Sequence, residues 1–406
     1  MSKTPIVKVK RKFTYISLFC GCGGFDYGFT KNGFKCLGAY DINPTVIKVH
    51  KKNIAGPAFV HDLLQDNLPG KLSSGTVDVV ISGSPCQGFS TVGHRKVNDP
   101  RNELLLVGGK IAIRLNAKVF VAENVMGSAS GKHKKYWNRL IKLLQHNGYK
   151  TEVLHCNATE LGLPQLRKRI ILIAYQGTDK IEIKLPKLTP KPLREILQNV
   201  EKAENHKIAP ISKKGVIYKI AKKIKPNQKL SNVRGGSRSV HTWDIPEVYG
   251  NVTVNEKNLL LLIMRLRRQN RKRKVGDADP VSLAFLEKEY KKPIKSLIKS
   301  LKIKGYIREV DGNCFDLSNT FNGKFRRLAW NGFSPTVDTR FGSPRYFLHP
   351  DEHRGFTPRE AARIQGFDDN FIFEGSLEQQ FEMIGNAVPP PMAGAVARII
   401  KTKLFA

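Results

Sequence analysis

A short buried strand that runs into a sharp turn with one thiol most constrains how this chain can fold. Residues 77–81 (Val-Asp-Val-Val-Ile) are mostly β-branched and apolar, which is typical of a buried strand. Residues 82–90 (Ser-Gly-Ser-Pro-Cys-Gln-Gly-Phe-Ser) contain the glycines and the proline of a turn. The thiol of Cys86 is therefore expected at the carboxyl end of a strand, where open α/β sheets bind their ligands. A lone cysteine can instead be a small buried side chain, so its neighbours must decide its role.

Two further features are expected at the same edge of the sheet. A predicted first strand, 15–18, runs into the glycine-rich turn 19–24 (Phe-Cys-Gly-Cys-Gly-Gly), and glycines there let a ligand approach the backbone closely. The spacing is not Gly-x-Gly-x-x-Gly, so it does not indicate a dinucleotide pyrophosphate. Two later predicted strands end at Asp41 and Asp62, which could accept hydrogen bonds from ribose hydroxyls and from an adenine amino group. Either aspartate could instead cap a helix.

Later strands add a carboxylate and two arginines. The predicted strand 117–122 ends at Glu123, one strand away from Cys86 at the same sheet edge. Arg167 and Arg169 precede a further predicted strand, and alternate positions of a strand point to the same face. That face could bind phosphate or a base carbonyl, and a solvent-exposed basic edge is the alternative.

The charge balance indicates a polyanionic partner. The 406 residues contain 69 Lys and Arg against 34 Asp and Glu, a formal net charge of +35, and this excess favours nucleic acid. The six cysteines include no Cys-x-x-Cys pair, which is typical of a reducing compartment, and we expect a cytoplasmic protein. Cys20 and Cys22 have the wrong spacing for a structural zinc site, so no metal is expected. No apolar run approaches the ~20 residues of a membrane span.

A change in composition near residue 180 predicts a second region. Residues 181–192 are rich in proline and lysine and are typical of a linker. Arg234 and Arg238 flank two glycines and a serine, a composition that suits a loop close to a phosphate backbone. Residues 254–318 predict three helices followed by a hairpin, an order that resembles a winged helix. A winged helix can bind DNA or another protein, and the charge favours DNA. The helices are predicted over 256–270, 280–290 and 293–303.

The order of these motifs resembles that of the cytosine-5 DNA methyltransferases, over about residues 13–175 and 330–406. The motifs are the turn 19–24, Ser84-Pro85-Cys86-Gln87, Glu123-Asn124-Val125, Gln165-x-Arg167-x-Arg169, the helix 359–367 and Gly385-Asn386-Ala387-Val388-Pro389. The resemblance implies a doubly wound α/β sheet that binds S-adenosylmethionine. It also implies catalytic parts over 1–180 and 345–406, with a target-recognition region over 181–344 that contains the block 254–318.

The resemblance implies a covalent mechanism. Cytosine C5 is a poor nucleophile, and addition of the Cys86 thiolate to C6 would make C5 enamine-like. Glu123 would protonate or hydrogen-bond N3, and Arg169 would hold the base oxygen O2. Arg167 would bind a phosphate or the mobile active-site loop that the glycine- and charge-rich composition of residues 91–102 predicts. The cytosine must flip out, since C5 and C6 are inaccessible inside a duplex. The protein would then be the modification enzyme of a restriction-modification system.

The resemblance also implies binding residues and partners. The expected cofactor contacts are Phe19, Cys22, Gly24, Asp41, Ile42, Asp62, Leu63, Pro85, Leu104, Asn386 and Ala387. The expected DNA contacts are Gln87, Ser90, Arg234, Arg238 and Arg340. We expect a monomer that acts on double-stranded DNA, with a restriction endonuclease for the same site as a further partner. Three residues depart from the family pattern: Ser84 replaces a proline, Ile42 an aromatic residue and Asn102 a glycine.

Three other functions are compatible with the sequence. A cytosine methyltransferase that acts on tRNA is one, although the long basic insert argues against it. A DNA-binding regulator built on an inactive methyltransferase is another, but such a protein would lack Cys86 or Glu123, and both are present. The third is a transcription factor that uses the winged helix and keeps its activity.

Overall fold

The computed structural model describes residues 12–65, 67–85, 100–179, 181–269, 271–272 and 278–405. They form two compact units. The first unit extends to Lys207 and includes Asn331–Arg340 and the residues from Pro358 onward, whereas the second comprises Ile208–Trp330 and Phe341–Thr357. The sequence placed 181–207 and 331–340 in the central region, but here both ranges belong to the first unit. The predicted linker is part of that unit because Ile183 is buried in its core.

The elements are named in chain order. The strands are β1 (Thr14–Leu18), β2 (Lys35–Asp41), β3 (Ala58–Val60), β4 (Val79–Ser82), β5 (Val119–Val125), β6 (Tyr149–Asn157), β7 (Gln165–Leu166), β8 (Lys168–Gln176), β9 (Lys229–Ser231), β10 (Ser239–Val240), β11 (Val281–Ser282), β12 (Ile307–Val310), β13 (Cys314–Leu317), β14 (Asn322–Lys324), β15 (Arg326–Arg327), β16 (Ser334–Pro335) and β17 (Phe347–Leu348). The α-helices are α1 (Gly24–Lys31), α2 (Pro44–Asn53), α3 (Leu104–Arg114), α4 (Lys134–His146), α5 (Leu193–Ile196), α6 (Val216–Lys223), α7 (Pro246–Tyr249), α8 (Val254–Gln269), α9 (Leu283–Tyr290), α10 (Lys295–Ile303), α11 (Pro358–Gln365), α12 (Leu377–Asn386) and α13 (Pro390–Ile399).

The first unit is built on a seven-stranded sheet of order β3-β2-β1-β4-β5-β8-β6. Strands β1 to β5 run parallel, whereas β8 is antiparallel to both of its neighbours. The chain winds from β1 outward to β3 and then returns to form β4 on the other side of β1. Strands β1 and β4 therefore flank the point where the winding direction reverses, and open α/β sheets bind ligands outside the carboxyl ends of such strands. The mixed α/β fold with a central sheet agrees with the prediction.

Alternate residues of each strand face opposite sides of the sheet, and helices cover both faces. Tyr15 belongs to a core cluster with Met392 of α13, whereas Ile16 belongs to a second cluster with Leu140 of α4. A Cβ added at Gly28 of α1 would lie 2.5 Å from the Cβ of Ala393. Glycine at this position thus permits close packing of α1 against α13, and α13 shares a core cluster with the first strand.

The second unit contains two three-stranded sheets, of order β10-β9-β14 and β11-β13-β12, and the two-stranded sheet β15-β17. Helices α8, α9 and α10 pack around a core that includes Ile263, Leu286 and Phe315. The sequence missed β11, since residues 280–282 were expected to begin the second helix. Helix α9 instead begins after Ser282, whose hydroxyl accepts a hydrogen bond from Phe285 N at 3.4 Å and caps the helix. Val281 and Ser282 form β11, which pairs with β13.

Candidate active site

A cavity of about 480 Å³ lies at the carboxyl edge of the sheet in the first unit. All eleven residues expected to contact a cofactor line it, and Glu123 and Arg169 line it as well. These residues come from distant parts of the chain, and the sheet brings them together because the carboxyl ends of parallel strands share one edge. The eleven are Phe19, Cys22, Gly24, Asp41, Ile42, Asp62, Leu63, Pro85, Leu104, Asn386 and Ala387.

The glycine-rich turn forms one wall of the cavity. Gly23 adopts a left-handed φ of 99°, which glycine accommodates without strain. A Cβ added at Gly24 would lie 2.5 Å from Val388 O, so this position must lack a side chain for residues 387–388 to pack against the turn. Burial raises the pKa of Cys22 to about 12, so this thiol is neutral and serves as part of the wall.

Two aspartates hold the ends of their strands in place. Asp41 accepts hydrogen bonds from Gly21 N at 3.0 Å and Asn43 N at 2.9 Å, which ties the glycine-rich turn to β2. Asp41 does not cap α2, because Asn43 is the N-cap. Burial raises the pKa of Asp41 even though these backbone donors act to lower it. Asp62 accepts a hydrogen bond from Leu64 N at 3.0 Å and closes a turn.

The rim of the cavity is apolar and open to solvent. Ile42 is 66% exposed and Leu64 is 65% exposed, although both line the cavity. Exposed apolar side chains beside a cavity can pack against the apolar face of a flat ligand and remove that face from water. Ile42 would provide this contact with an aliphatic side chain in place of the aromatic one that the family often has.

Glu123 and Arg169 form an ion pair in the cavity wall. Arg169 Nε lies 2.8 Å from Glu123 Oε1, and both side chains are nearly nine-tenths buried. Asn124, the next residue on β5, donates from Nδ2 to Ser84 O at 3.3 Å and to Ser84 Oγ at 3.2 Å. The serine that replaces the family's proline therefore supplies an extra acceptor, and Asn124 anchors the turn that leads to Pro85. Cys86, Gln87 and Ser90 lie outside the described residues.

Arg167 does not line the cavity. Its buried guanidinium donates to Val337 O at 3.0 Å, to Gly385 O at 3.2 Å and to Ala387 O at 2.9 Å. The expectation that Arg167 and Arg169 share a face is wrong, because β7 ends at Leu166 and β8 begins at Lys168. Arg167 lies at this break, and its side chain fastens the C-terminal part of the chain to the sheet.

Sequence reasoning missed a buried polar network beneath the glycine-rich turn. Asp26 on α1 is fully buried and accepts a hydrogen bond from Ser17 Oγ at 2.8 Å. Its other carboxylate oxygen lies 3.2 Å from His50 Nε2 of α2. Ser17 lines the cavity, so the network connects the cavity wall to two helices. Nothing local in the sequence distinguishes Asp26 from an ordinary helical residue.

Helix α12 was also missed, and it contributes Gln379, Glu382 and Met383 to the cavity. Gly385 and Asn386, the first residues of the motif 385–389, complete the last turn of this helix. The capping box between Ser376 and Gln379 was the signal that could have located its start.

The described DNA-binding candidates have different environments. Arg234 and Arg238 are exposed on the connection between β9 and β10 in the second unit. Arg340 belongs to the first unit and forms an ion pair with Asp338 at 2.6 Å. Within the described ranges, no group of three His, Cys, Asp or Glu side chains could hold a metal ion, and no helix is long and apolar enough to cross a membrane.

The fold and the cavity define an open α/β enzyme whose ligand site combines a glycine-rich turn with strand-terminal acids. The chain belongs to the C-5 cytosine-specific DNA methylase family, whose profile matches residues 13–402. It is a DNA (cytosine-5-)-methyltransferase, as the sequence predicted.

The chain is similar to characterised relatives along nearly its whole length. It is 29% identical to the type II methyltransferase M.DdeI of Desulfomicrobium norvegicum, over 95% of this chain and 88% of the relative. It is 30% identical to M.XorII of Xanthomonas oryzae pv. oryzae, over 94% of this chain and 82% of the relative. The solved structure of the Entamoeba histolytica methyltransferase EhMeth has a TM-score of 0.51 at 17% identity, covering 97% of this chain and 98% of that one, and supports the fold alone.

Proposed function

We propose that the protein methylates C5 of one cytosine within a specific duplex DNA sequence, with S-adenosylmethionine as the methyl donor, as the modification enzyme of a restriction-modification system. The observation that carries the proposal is the single cavity that contains both the expected cofactor contacts and the Glu123–Arg169 pair. The type II methyltransferases among the relatives support the restriction-modification context.

The size and the lining residues of the cavity support S-adenosylmethionine as its ligand. Its volume of about 480 Å³ lies in the range of small-molecule sites. The Asp41 carboxylate would accept hydrogen bonds from ribose hydroxyls, and the exposed Ile42 would pack on the adenine ring. The backbone of the glycine-rich turn would contact the remainder of the molecule. When bound, S-adenosylmethionine supplies an electrophilic methyl group.

The residues of the chain would prepare the cytosine for transfer. The Cys86 thiolate would form a bond to C6 while N3 receives a proton from Glu123, which leaves C5 nucleophilic. Arg169 Nε is paired with the Glu123 carboxylate, and the Nη2 group of the same side chain would donate a hydrogen bond to the base oxygen O2. Once C5 carries the methyl group, transfer of the C5 proton to a base, departure of the Cys86 thiolate and return of the N3 proton to Glu123 would restore the aromatic ring. The cytosine must be flipped out of the duplex, and Gln87 and Ser90 would lie beside the space that it leaves.

Arg167 would act as a positioning residue. Because its donors bind the backbone carbonyls of residues 337, 385 and 387, it would hold Asn386 and Ala387 against the cofactor. This role differs from the contact with a phosphate or with the mobile loop that the resemblance implied.

The second unit would recognise the target sequence, with Arg234 and Arg238 on an exposed turn that would contact DNA. Within it, we propose that the block 254–318 is a winged helix. Its three helices and its sheet of order β11-β13-β12 support this assignment.

The test is transfer of labelled methyl from S-adenosylmethionine to duplex DNA, with tRNA assayed in parallel. We expect label in DNA only, recovered as 5-methylcytosine, and bisulfite sequencing of the product should identify one sequence context. Label in tRNA alone would move the function to RNA. Tight DNA binding without label in either substrate would contradict catalysis and favour the regulator.

A further inference from the structure

Lys229 and Arg326 of the second unit lie close together without a carboxylate partner in the described part of the chain, and the charge of Arg234 acts on Lys229 as well. Lys229 lies on β9, Arg326 on β15, and Arg234 on the connection between β9 and β10. A Cβ placed on Gly323 of β14 would lie 3.2 Å from both Arg326 Nη2 and Lys229 Cδ, and 3.6 Å from Lys229 Nζ. The two side chains therefore meet over the same glycine. Among the described residues, none of the three cations forms an ion pair.

Two other cations of the same unit are paired with carboxylates. Lys223 lies 2.6 Å from Glu247, and Lys257 lies 2.7 Å from Asp244. The cluster of Lys229, Arg234 and Arg326 instead concentrates positive charge with no carboxylate of the described residues paired to it, which suits an anion from outside the chain.

The charges in this cluster also act on one another. Burial, followed by the charges of Arg326 and Arg234, lowers the pKa of Lys229. Burial likewise lowers the pKa of Arg326. Holding like charges together at partly buried positions costs free energy, and an anion bound among them would remove that cost.

The backbone around the cluster is shaped for close approach. The pairing of β14 with β9 shifts register between Asn322 and Lys324, which is a bulge. Gly323 within it has a φ of 97°, and Phe325 beyond it has a φ of 49°. Such bulges redirect neighbouring side chains. Because Gly323 has no side chain, only backbone atoms of this residue lie beside Lys229 and Arg326.

We propose that Lys229, Arg234 and Arg326 bind one phosphodiester group of duplex DNA. The planar guanidinium groups match the oxygens of a phosphate, and the lysine adds a compact charge. The proposal rests on the proposed function, because the polyanion it names is the DNA substrate. A phosphate contact fixes the register of the protein on DNA and strengthens binding to every sequence equally.

The salt dependence of DNA binding by the full chain tests this proposal. Fluorescence anisotropy would measure affinity for one specific and one unrelated duplex over a range of salt concentrations. Losing the one phosphate contact should reduce the slope of log affinity against log salt by about 0.9. We expect this change when Lys229, Arg234 and Arg326 are all replaced by glutamine, and a smaller reduction for Lys229→Gln or Arg326→Gln alone, with equal weakening on both duplexes.

The matched control is Lys223→Gln, which removes the same charge from the same unit. The ammonium of Lys223 is already paired with Glu247, so its slope should equal that of the native protein. Unchanged affinity for S-adenosylmethionine and unchanged far-UV circular dichroism would show that each variant is folded. Arg234→Gln, at an exposed position, repeats the test without disturbing a partly buried side chain.

Native slopes for the folded variants at Lys229 and Arg326 would overturn the proposal. Saturable binding of inorganic phosphate at constant ionic strength, lost in the variants while the DNA slope is unchanged, would assign the cluster to a small anion and also overturn it. Reduced slopes in a protein that methylates no DNA would support the phosphate contact and remove the proposed function alone.

Discussion

Arg169 lies diagonally across from Glu123 on neighbouring antiparallel strands, and its Nε is 2.8 Å from Glu123 Oε1. Arg169 pairs with Val125 in the sheet register, two residues beyond Glu123, and diagonal neighbours of this kind are within reach of long side chains. The sheet therefore fixes the separation between the proposed acid and the proposed base-binding residue before any substrate arrives.

Glu123→Gln should reduce the rate of methyl transfer by about two to four orders of magnitude, which is typical of losing a general acid. Glutamine keeps the size and an acceptor for Arg169 but has no carboxyl proton to give to N3. The rate is measured in a single turnover at saturating DNA and cofactor. Glu103→Gln, at an exposed pair with Arg139, is the matched control. A variant at position 123 as fast as this control would exclude proton donation by Glu123.

Asp41→Asn should weaken binding of S-adenosylmethionine by about tenfold or more, because hydrogen bonds to a charged acceptor contribute about 1.5–3 kcal/mol. Isothermal titration calorimetry measures the change directly. Asp311→Asn changes an exposed aspartate of the second unit and should leave the affinity unchanged. Equal affinities for the two variants would contradict the ribose contact.

Cofactor affinity should also depend on pH through Asp41. Because burial raises the pKa of Asp41, the carboxylate becomes protonated as the pH falls through that raised value. Cofactor affinity should therefore decrease at a higher pH than it would with an aspartate of ordinary pKa. The effect on folding has the opposite sign. The folded state holds this proton more tightly than the unfolded state, so the contribution to stability decreases as pH rises through the raised pKa. Titrations of the native protein and of Asp41→Asn should differ in this window, and identical profiles would refute the assignment.

Arg167→Met should destabilise the protein by about 3 kcal/mol or more, since several buried carbonyls would lose a donor at about 1–3 kcal/mol each. Arg169→Met should instead lower the rate of methyl transfer with a smaller effect on stability. Urea unfolding measures the change in stability of each variant, and the methyl-transfer assay measures its rate, so the two experiments together separate the two roles. The reverse pattern would show that the roles of Arg167 and Arg169 are exchanged.

Gly24→Ala should impair both stability and cofactor binding, because the new Cβ would lie 2.5 Å from Val388 O. A carbonyl oxygen of the backbone cannot move aside as a flexible side chain does. Gly235→Ala is the control, since its nearest neighbour is the terminal methyl of Met264 at 3.4 Å. Thermal melts with and without S-adenosylmethionine report both effects, and a normal cofactor-induced shift in Gly24→Ala would argue against close packing at this turn.

The cavity could be predicted from the sequence because local sequence patterns identify many of the residues that line it. Apolar runs identify the strands, and the residue that follows a parallel strand lies at the ligand edge, so Asp41, Asp62 and Glu123 were expected together. The glycine-rich turn follows from composition in the same way.

Side-chain partners set by tertiary packing could not be predicted. The alternation of Arg167 and Arg169 suggested a shared face, but a break between two strands sends Arg167 to backbone carbonyls instead. Lys229 and Arg326 are distant in sequence and come together beside Gly323, in the bulge of β14. Asp26 joins Ser17 and His50 from three separate elements, a relationship that no local pattern contains.

The most direct test of the central claim compares formation of 5-methylcytosine in duplex DNA by the native protein, by Cys86→Ser and by Cys314→Ser. Cys314 lies in the second unit and provides a matched loss of one thiol. We predict methylated DNA with the native protein and Cys314→Ser and none with Cys86→Ser, although all three bind DNA and S-adenosylmethionine. Methylation by Cys86→Ser at the native rate would contradict the account, because no other residue is proposed to attack C6.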